Sequence, residues 1–188
     1  QTQFDKVGSS CDESLWSRKA LFQLIGVIDY GVGNIEAFLN CFNKMGVNAQ
    51  KANDVRTIKR SSHLILPGVG HFSRAMSMLR NAQFISTLEH MVFQNGVPLL
   101  GVCVGMQMLS DYSEEGKEKG LGWIPGEVLN MNNVRCPSSI RLPHMGWNNV
   151  NITKSTPLLT SIDPENNQFY FLHSFYFKPK DKGYILAT

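Results

Sequence analysis

The sequence predicts an α/β fold: a doubly wound, mostly parallel sheet flanked by helices, with a smaller β-rich flank. Three observations carry that expectation. Between residue 24 and about residue 113, short apolar segments ended by glycine turns alternate with helical patterns, the spacing of strand–helix–strand units. One apolar run, Val97-Pro98-Leu99-Leu100, leads straight into Gly101-Val102-Cys103-Val104-Gly105 and a further helical pattern. After Gly120 the chain turns to loops and aromatic β-formers, with no repeat and no low-complexity linker, so residues 24–188 read as one domain.

Residues 1–23 lack clean periodicity and contain Gly8-Ser9-Ser10; they are expected to form an extension outside the core. Leu24–Tyr30 is the first buried strand. Gly31-Val32-Gly33-Asn34 turns it into a helix with Ile35, Phe38, Leu39, Phe42 and Met45 on one face, ended by Gly46. This turn gives only G-x-G, with Glu36 in the place of a third glycine, so a dinucleotide site is discounted. Val47–Lys51 is a second strand, and Asp54–Ser62 has room for a short helix. His63–Leu66 is a third strand, leaving Pro67-Gly68-Val69-Gly70 as a loop. Ser73–Gly96 reads as helical with a break near Asn81, and the helix after Cys103 is expected to reach about Ser113. In the flank, Glu127–Asn130, Asn148–Ile152, Phe169–Phe177 and Tyr184–Thr188 are candidate strands. Phe169–Phe177 is so aromatic that sheet packed against a core is expected.

Composition excludes several function classes. The net charge of +3 is scattered, which argues against nucleic acid, and no run approaches a membrane span. The polar start, Gln1 to Lys6, is unlike a secretory signal. Cys11, Cys41, Cys103 and Cys136 form no C-x-x-C pair and have no histidine at ligand spacing. Neither a metal site nor a disulfide framework is therefore expected, no cofactor is indicated, and a reducing cytoplasmic compartment fits best.

The chemistry is expected at Cys103. Glycines two residues to either side let the chain bend sharply where strand meets helix, pushing the residue between them into a strained, exposed position. At a helix N-terminus a cysteine faces the positive end of the peptide dipoles, which favours the nucleophilic thiolate. A buried cysteine acting as a small apolar residue is the alternative. Ligands in such sheets collect at the carboxyl ends of strands, where the Pro67–Gly70 loop should meet the cysteine turn. Attack on an amide carbonyl makes an oxyanion, and the backbone N–H groups of Val69 and Val104 are the donors proposed for it.

These segments carry a resemblance. Gly101-Val102-Cys103-Val104-Gly105-Met106-Gln107 is similar to the nucleophile motif of class I glutamine amidotransferases. Asp29–Asn34, Leu66–Gly70, Leu142-Pro143-His144-Met145-Gly146-Trp147-Asn148 and Phe169–Ser174 resemble, in the same order, the glutaminase subunits of imidazole glycerol phosphate synthases. The resemblance implies hydrolysis of glutamine through a cysteinyl thioester. Ammonia would pass to a (β/α)8 cyclase, the partner in a heterodimer, for imidazole formation in histidine biosynthesis. It makes Cys103 the nucleophile and Gly68, Val69, Gly70 and Val104 the oxyanion region. Gln107, Glu115, Ser174 and the backbone of Phe175 would hold the amino-acid end of glutamine, with Asn34, Trp147 and Tyr170 toward the cyclase. Taken alone, Trp147 and Tyr170 read as core packing.

One departure bears on activity. The family's catalytic histidine and glutamate lie in a His-Pro-Glu motif that residues 1–188 do not contain. The expectation is that this segment is either cut short or not included here, and that residues 1–188 as written are inactive. His173 and His144 are tempting substitutes, but His173 reads as structural or substrate-facing, and His71 as shaping the oxyanion loop. Two alternatives keep the same domain: a paralogue feeding ammonia to a surface-sugar synthase, and a non-catalytic regulatory subunit.

Overall fold

The computed structural model describes residues 23–133, 141–160, 162 and 167–188. The extension expected over residues 1–23 falls almost wholly outside them, as do Cys11 and Cys136.

Four parallel strands form the central sheet in the order β2-β1-β3-β4: β1 (Ile25–Ile28), β2 (Ala49–Ala52), β3 (His63–Gly68) and β4 (Leu99–Cys103). The connections are α1 (Ile35–Lys44), α2 (Val55–Arg60), then α3 (Phe72–Asn81) and α4 (Ile85–Glu89), the last running into a π-helical turn over His90–Gln94. Polar residues start the first two helices where the pattern placed them. Asn34 accepts the amide of Ala37, and Asp54 that of Thr57. Gly46, at φ +68°, lets the chain leave α1.

Both faces of the sheet are covered, as the double winding requires. Alternate residues of β3 point to opposite sides. Leu64 and Leu66 join a large core with Phe72, Met76 and Leu79 of α3, while Ile65 joins Val27, Ile35 and the apolar face of α1.

Two expectations for this half are corrected. β3 does not stop at Leu66: Pro67 and Gly68 still pair with Val102 and Cys103, because β4 extends as far as the turn at Cys103 and offers them partners. The helix after Cys103, α5, covers only Val104–Gln107. Instead of continuing to Ser113 the chain folds back, with the amides of Leu121 and Trp123 bonded to the carbonyls of Met108 and Leu109.

The flank holds a second sheet in the order β10-β7-β5-β6: β5 (Tyr112–Ser113), β6 (Glu118–Lys119), β7 (Gly126–Asn130) and β10 (Phe175–Pro179). A separate antiparallel ribbon pairs β8 (His144–Asn149) with β9 (Gln168–His173). The expected strand Asn148–Ile152 thus lies earlier in the chain. Tyr184–Thr188 forms no strand, contributing one bridge, Ala187 to Ile152.

The Phe169–Phe177 segment departs furthest from expectation. It breaks at Ser174 into two strands of different sheets, and β9 pairs only with β8. Met145, Trp147, Tyr170 and Leu172 therefore share one bare face of the ribbon, 63, 67, 53 and 58 % exposed. Core packing of Trp147 and Tyr170 is overturned; the two rings meet edge to face at 5.6 Å on the surface.

Candidate active site

Cys103 ends β4 with φ +56° and ψ −121°, a conformation that a non-glycine residue holds only when its surroundings enforce it. Three glycines provide the enforcement. A Cβ on Gly105 would lie 1.9 Å from the Leu66 carbonyl oxygen. One on Gly101 would lie 2.6 Å from the Met106 Cα, and one on Gly68 would lie 2.3 Å from the Gly105 nitrogen. Strand β3 and the start of α5 are thus in backbone contact, which leaves the cysteine side chain nowhere to go but outward. It is exposed, as the glycine spacing predicted.

The same contact brings the two glycine segments together. Gly68 is the register partner of Cys103, Val69 is exposed beside it, and Gly70 turns the chain at φ +79°. Val104 opens α5, so its N–H has no acceptor within the helix. Beneath them the buried hydroxyl of Tyr30 donates to the Pro67 carbonyl at 2.7 Å. Burial pushes the Tyr30 phenol well above its ordinary range, so it stays a donor. Tyr30 was not singled out from the sequence. Its signal was there in position, one residue before the glycine turn on the strand next to β3.

Cys103 opens into a cavity of about 720 Å³ lined also by Gln107, Phe171, His173, Phe175 and Tyr176. Gln107 is buried, and its Nε2 donates to the Phe175 carbonyl at 3.5 Å. Ser174 is the half-buried residue between β9 and β10, its carbonyl taken by the Met131 amide. Glu115 does not line this cavity; its carboxylate accepts the Phe72 amide at 2.9 Å, at the start of α3. Asn34 is exposed and caps α1.

The histidines are occupied elsewhere. His173 bonds through Nδ1 to the Phe175 carbonyl at 2.8 Å and through Nε2 to His144 Nδ1 at 2.9 Å. His71 caps α3, its Nδ1 accepting the Ser73 amide. Among the described residues no histidine is hydrogen-bonded to Cys103, and no cluster of three metal-ligating side chains occurs. Nor is any described helix long and apolar enough to cross a membrane.

A nucleophile turn facing a second glycine segment, over a cavity with a buried amide, suits attack on a carboxamide. A family model for class-I glutamine amidotransferases matches residues 26–188. The chain belongs to the class-I glutamine amidotransferases.

Relatives within this amidotransferase family are similar over most of their length. Imidazole glycerol phosphate synthase subunit HisH of Leptospira borgpetersenii is 41% identical over 164 residues, covering 87% of this chain and 80% of the relative. The subunit of the same name from Bdellovibrio bacteriovorus is 41% identical, covering 88% and 80%. Subunit HisH 2 of Pseudomonas aeruginosa is 43% identical, also covering 88% and 80%. A crystal structure of a glutamine amidotransferase superposes with a TM-score of 0.62 at 18% identity over 87% of this chain and 78% of the other, which supports the amidotransferase fold.

Proposed function

We propose that this chain is the glutaminase subunit of an imidazole glycerol phosphate synthase. It hydrolyses glutamine to glutamate and ammonia and passes the ammonia to a (β/α)8 cyclase, its heterodimer partner, in histidine biosynthesis. The observation that carries the reading is the left-handed, exposed Cys103 in register with Gly68.

In this reading the Cys103 sulfur attacks the side-chain amide carbon of glutamine. The carbonyl electrons move onto oxygen, and the amides of Val69 and Val104 stabilise that charge, with Gly68 and Gly70 leaving room for the approach. The oxyanion collapses, the C–N bond breaks, and the nitrogen leaves as ammonia, taking up the proton lost by the Cys103 thiol. Water then cleaves the thioester to give glutamate and the free thiol. Gln107, Ser174 and the Phe175 backbone hold the amino-acid end of the substrate. Glu115 sits apart from them, its carboxylate bonded to the Phe72 amide at the start of α3. The thiol proton is carried by a general base, and among the described residues no histidine is hydrogen-bonded to Cys103.

The exposed apolar face of the ribbon, with Trp147 and Tyr170, docks on the cyclase, and Asn34 lies toward the same partner. The compartment is the cytoplasm, and residues 24–188 act as one domain. A second reading is the same glutaminase domain feeding another synthase. Co-purification tests the choice. Capture of an imidazole glycerol phosphate cyclase, with glutamate released when both are mixed with glutamine and acceptor, is expected; capture of a different synthase supports the second reading.

A further inference from the structure

His144 does not line the Cys103 cavity and Asn148 is exposed, yet both are tied to it by hydrogen bonds whose direction is forced. A carbonyl only accepts, so the His173 Nδ1 bonded to the Phe175 oxygen carries a proton. The other nitrogen of a neutral His173 is then an acceptor, and its partner, His144 Nδ1 at 2.9 Å, must donate. That leaves His144 Nε2 as an acceptor, and the group facing it at 2.8 Å is the amide nitrogen of Asn148, a donor. Polarity runs one way along four residues. Ring packing holds the links in line: His144 stacks on Phe171 at 5.2 Å and meets His173 edge-on at 5.0 Å. The chain ends on the carbonyl to which Gln107 also donates.

We propose that His144 is a positioning residue for glutamine: through His173 it fixes the Phe175 carbonyl, and with it the Gln107 amide in the substrate cavity, while exposed Asn148 sets only the polarity of the chain. The proposal rests on the glutaminase reading above. It explains why β8 turns His144 and Asn148 to the opposite side from Met145 and Trp147, which occupy the bare face.

Two substitutions at the outer end separate polarity from mere packing. Asn148→Ala removes the last link but leaves water to donate to His144, so polarity survives. Asn148→Asp is nearly isosteric, but a carboxylate only accepts; it draws the His144 proton to Nε2 and sets two lone pairs face to face between the rings.

The full-length protein in complex with its cyclase is assayed for glutamate release. In Asn148→Asp the KM for glutamine should rise about tenfold, the scale of one unmade hydrogen bond. Asn148→Ala should stay within about twofold, and kcat should hold in both. Equal KM changes in the two variants would overturn the proposal. Nitrogen-15 spectra of the rings read the polarity without turnover: both histidines carry Nδ1–H in wild type, and His144 carries Nε2–H in Asn148→Asp. An Nε2–H tautomer of His144 in wild type would also overturn it. A wild-type complex that releases no glutamate counts against the glutaminase reading, while the spectra still decide the positioning role.

Discussion

The parallel-sheet half and the β-rich flank use apolar residues in opposite ways. In the first, the apolar side chains of β1, β3, α3 and α4 are buried on the two faces of one sheet. In the flank, Val128 is the only described residue beyond Leu109 in the buried apolar core, whereas Met145, Trp147, Tyr170 and Leu172 stand in solvent. The first half is built to hold a strained cysteine still. The ribbon leaves an apolar face bare.

The comparison predicts that substitutions in the first half cost chemistry or stability, and those on the ribbon cost association. Replacing Cys103 with Ala should lower glutaminase turnover by at least about a thousandfold while leaving the melting temperature unchanged, as measured by glutamate release and thermal unfolding. Gly105→Ala should destabilise the fold by at least about 3 kcal/mol in urea unfolding, because the new Cβ meets the Leu66 carbonyl and neither backbone can yield. Trp147→Ala should do the reverse. Cyclase affinity should fall by about 2 kcal/mol in a titration, with no loss of melting temperature. A destabilised Trp147→Ala with normal affinity would erase the distinction between the halves.

Smaller effects sharpen it. Tyr30→Phe leaves the Pro67 carbonyl without this donor and should cost about 1.5 kcal/mol of stability, together with some turnover, since Pro67 directly precedes Gly68, the register partner of Cys103. At Asp29, the hydrogen bond from Lys51 holds the carboxyl below its ordinary range; the Gly31 amide adds to this, and partial burial opposes it. A carboxyl lowered on folding stabilises above its unfolded value and loses that contribution as pH falls through the folded one. Wild-type stability should therefore drop below about pH 4 more steeply than that of Asp29→Asn, as read from acid titrations of the melting temperature.

Legibility in the sequence follows the same division. Strands β1 to β4 and α1 to α4 were readable because burial on a sheet imposes a period on the sequence, and the period was there. The glycines around Cys103 were readable because backbone contact excludes a Cβ. The length of α5 was not, since Met106, Met108 and Leu109 continue a helical pattern while the chain folds back under bonds from Leu121 and Trp123. The exposure of Trp147 and Tyr170 was hidden because an aromatic residue awaiting a partner and one in a core look alike in one dimension. The His144–His173 bond joins residues 29 apart, and only the ribbon's register makes them neighbours.

The account turns on Cys103 as the thiol that a glutamine side chain reaches. A glutamine-like diazoketone, incubated with the protein and its cyclase and followed by peptide mass mapping, tests this directly. The expected result is one adduct, on the peptide carrying Cys103, suppressed by excess glutamine, with exposed Cys41 untouched. Equal labelling of Cys41 and Cys103, or labelling indifferent to glutamine, would contradict it and leave the chain a scaffold without the chemistry.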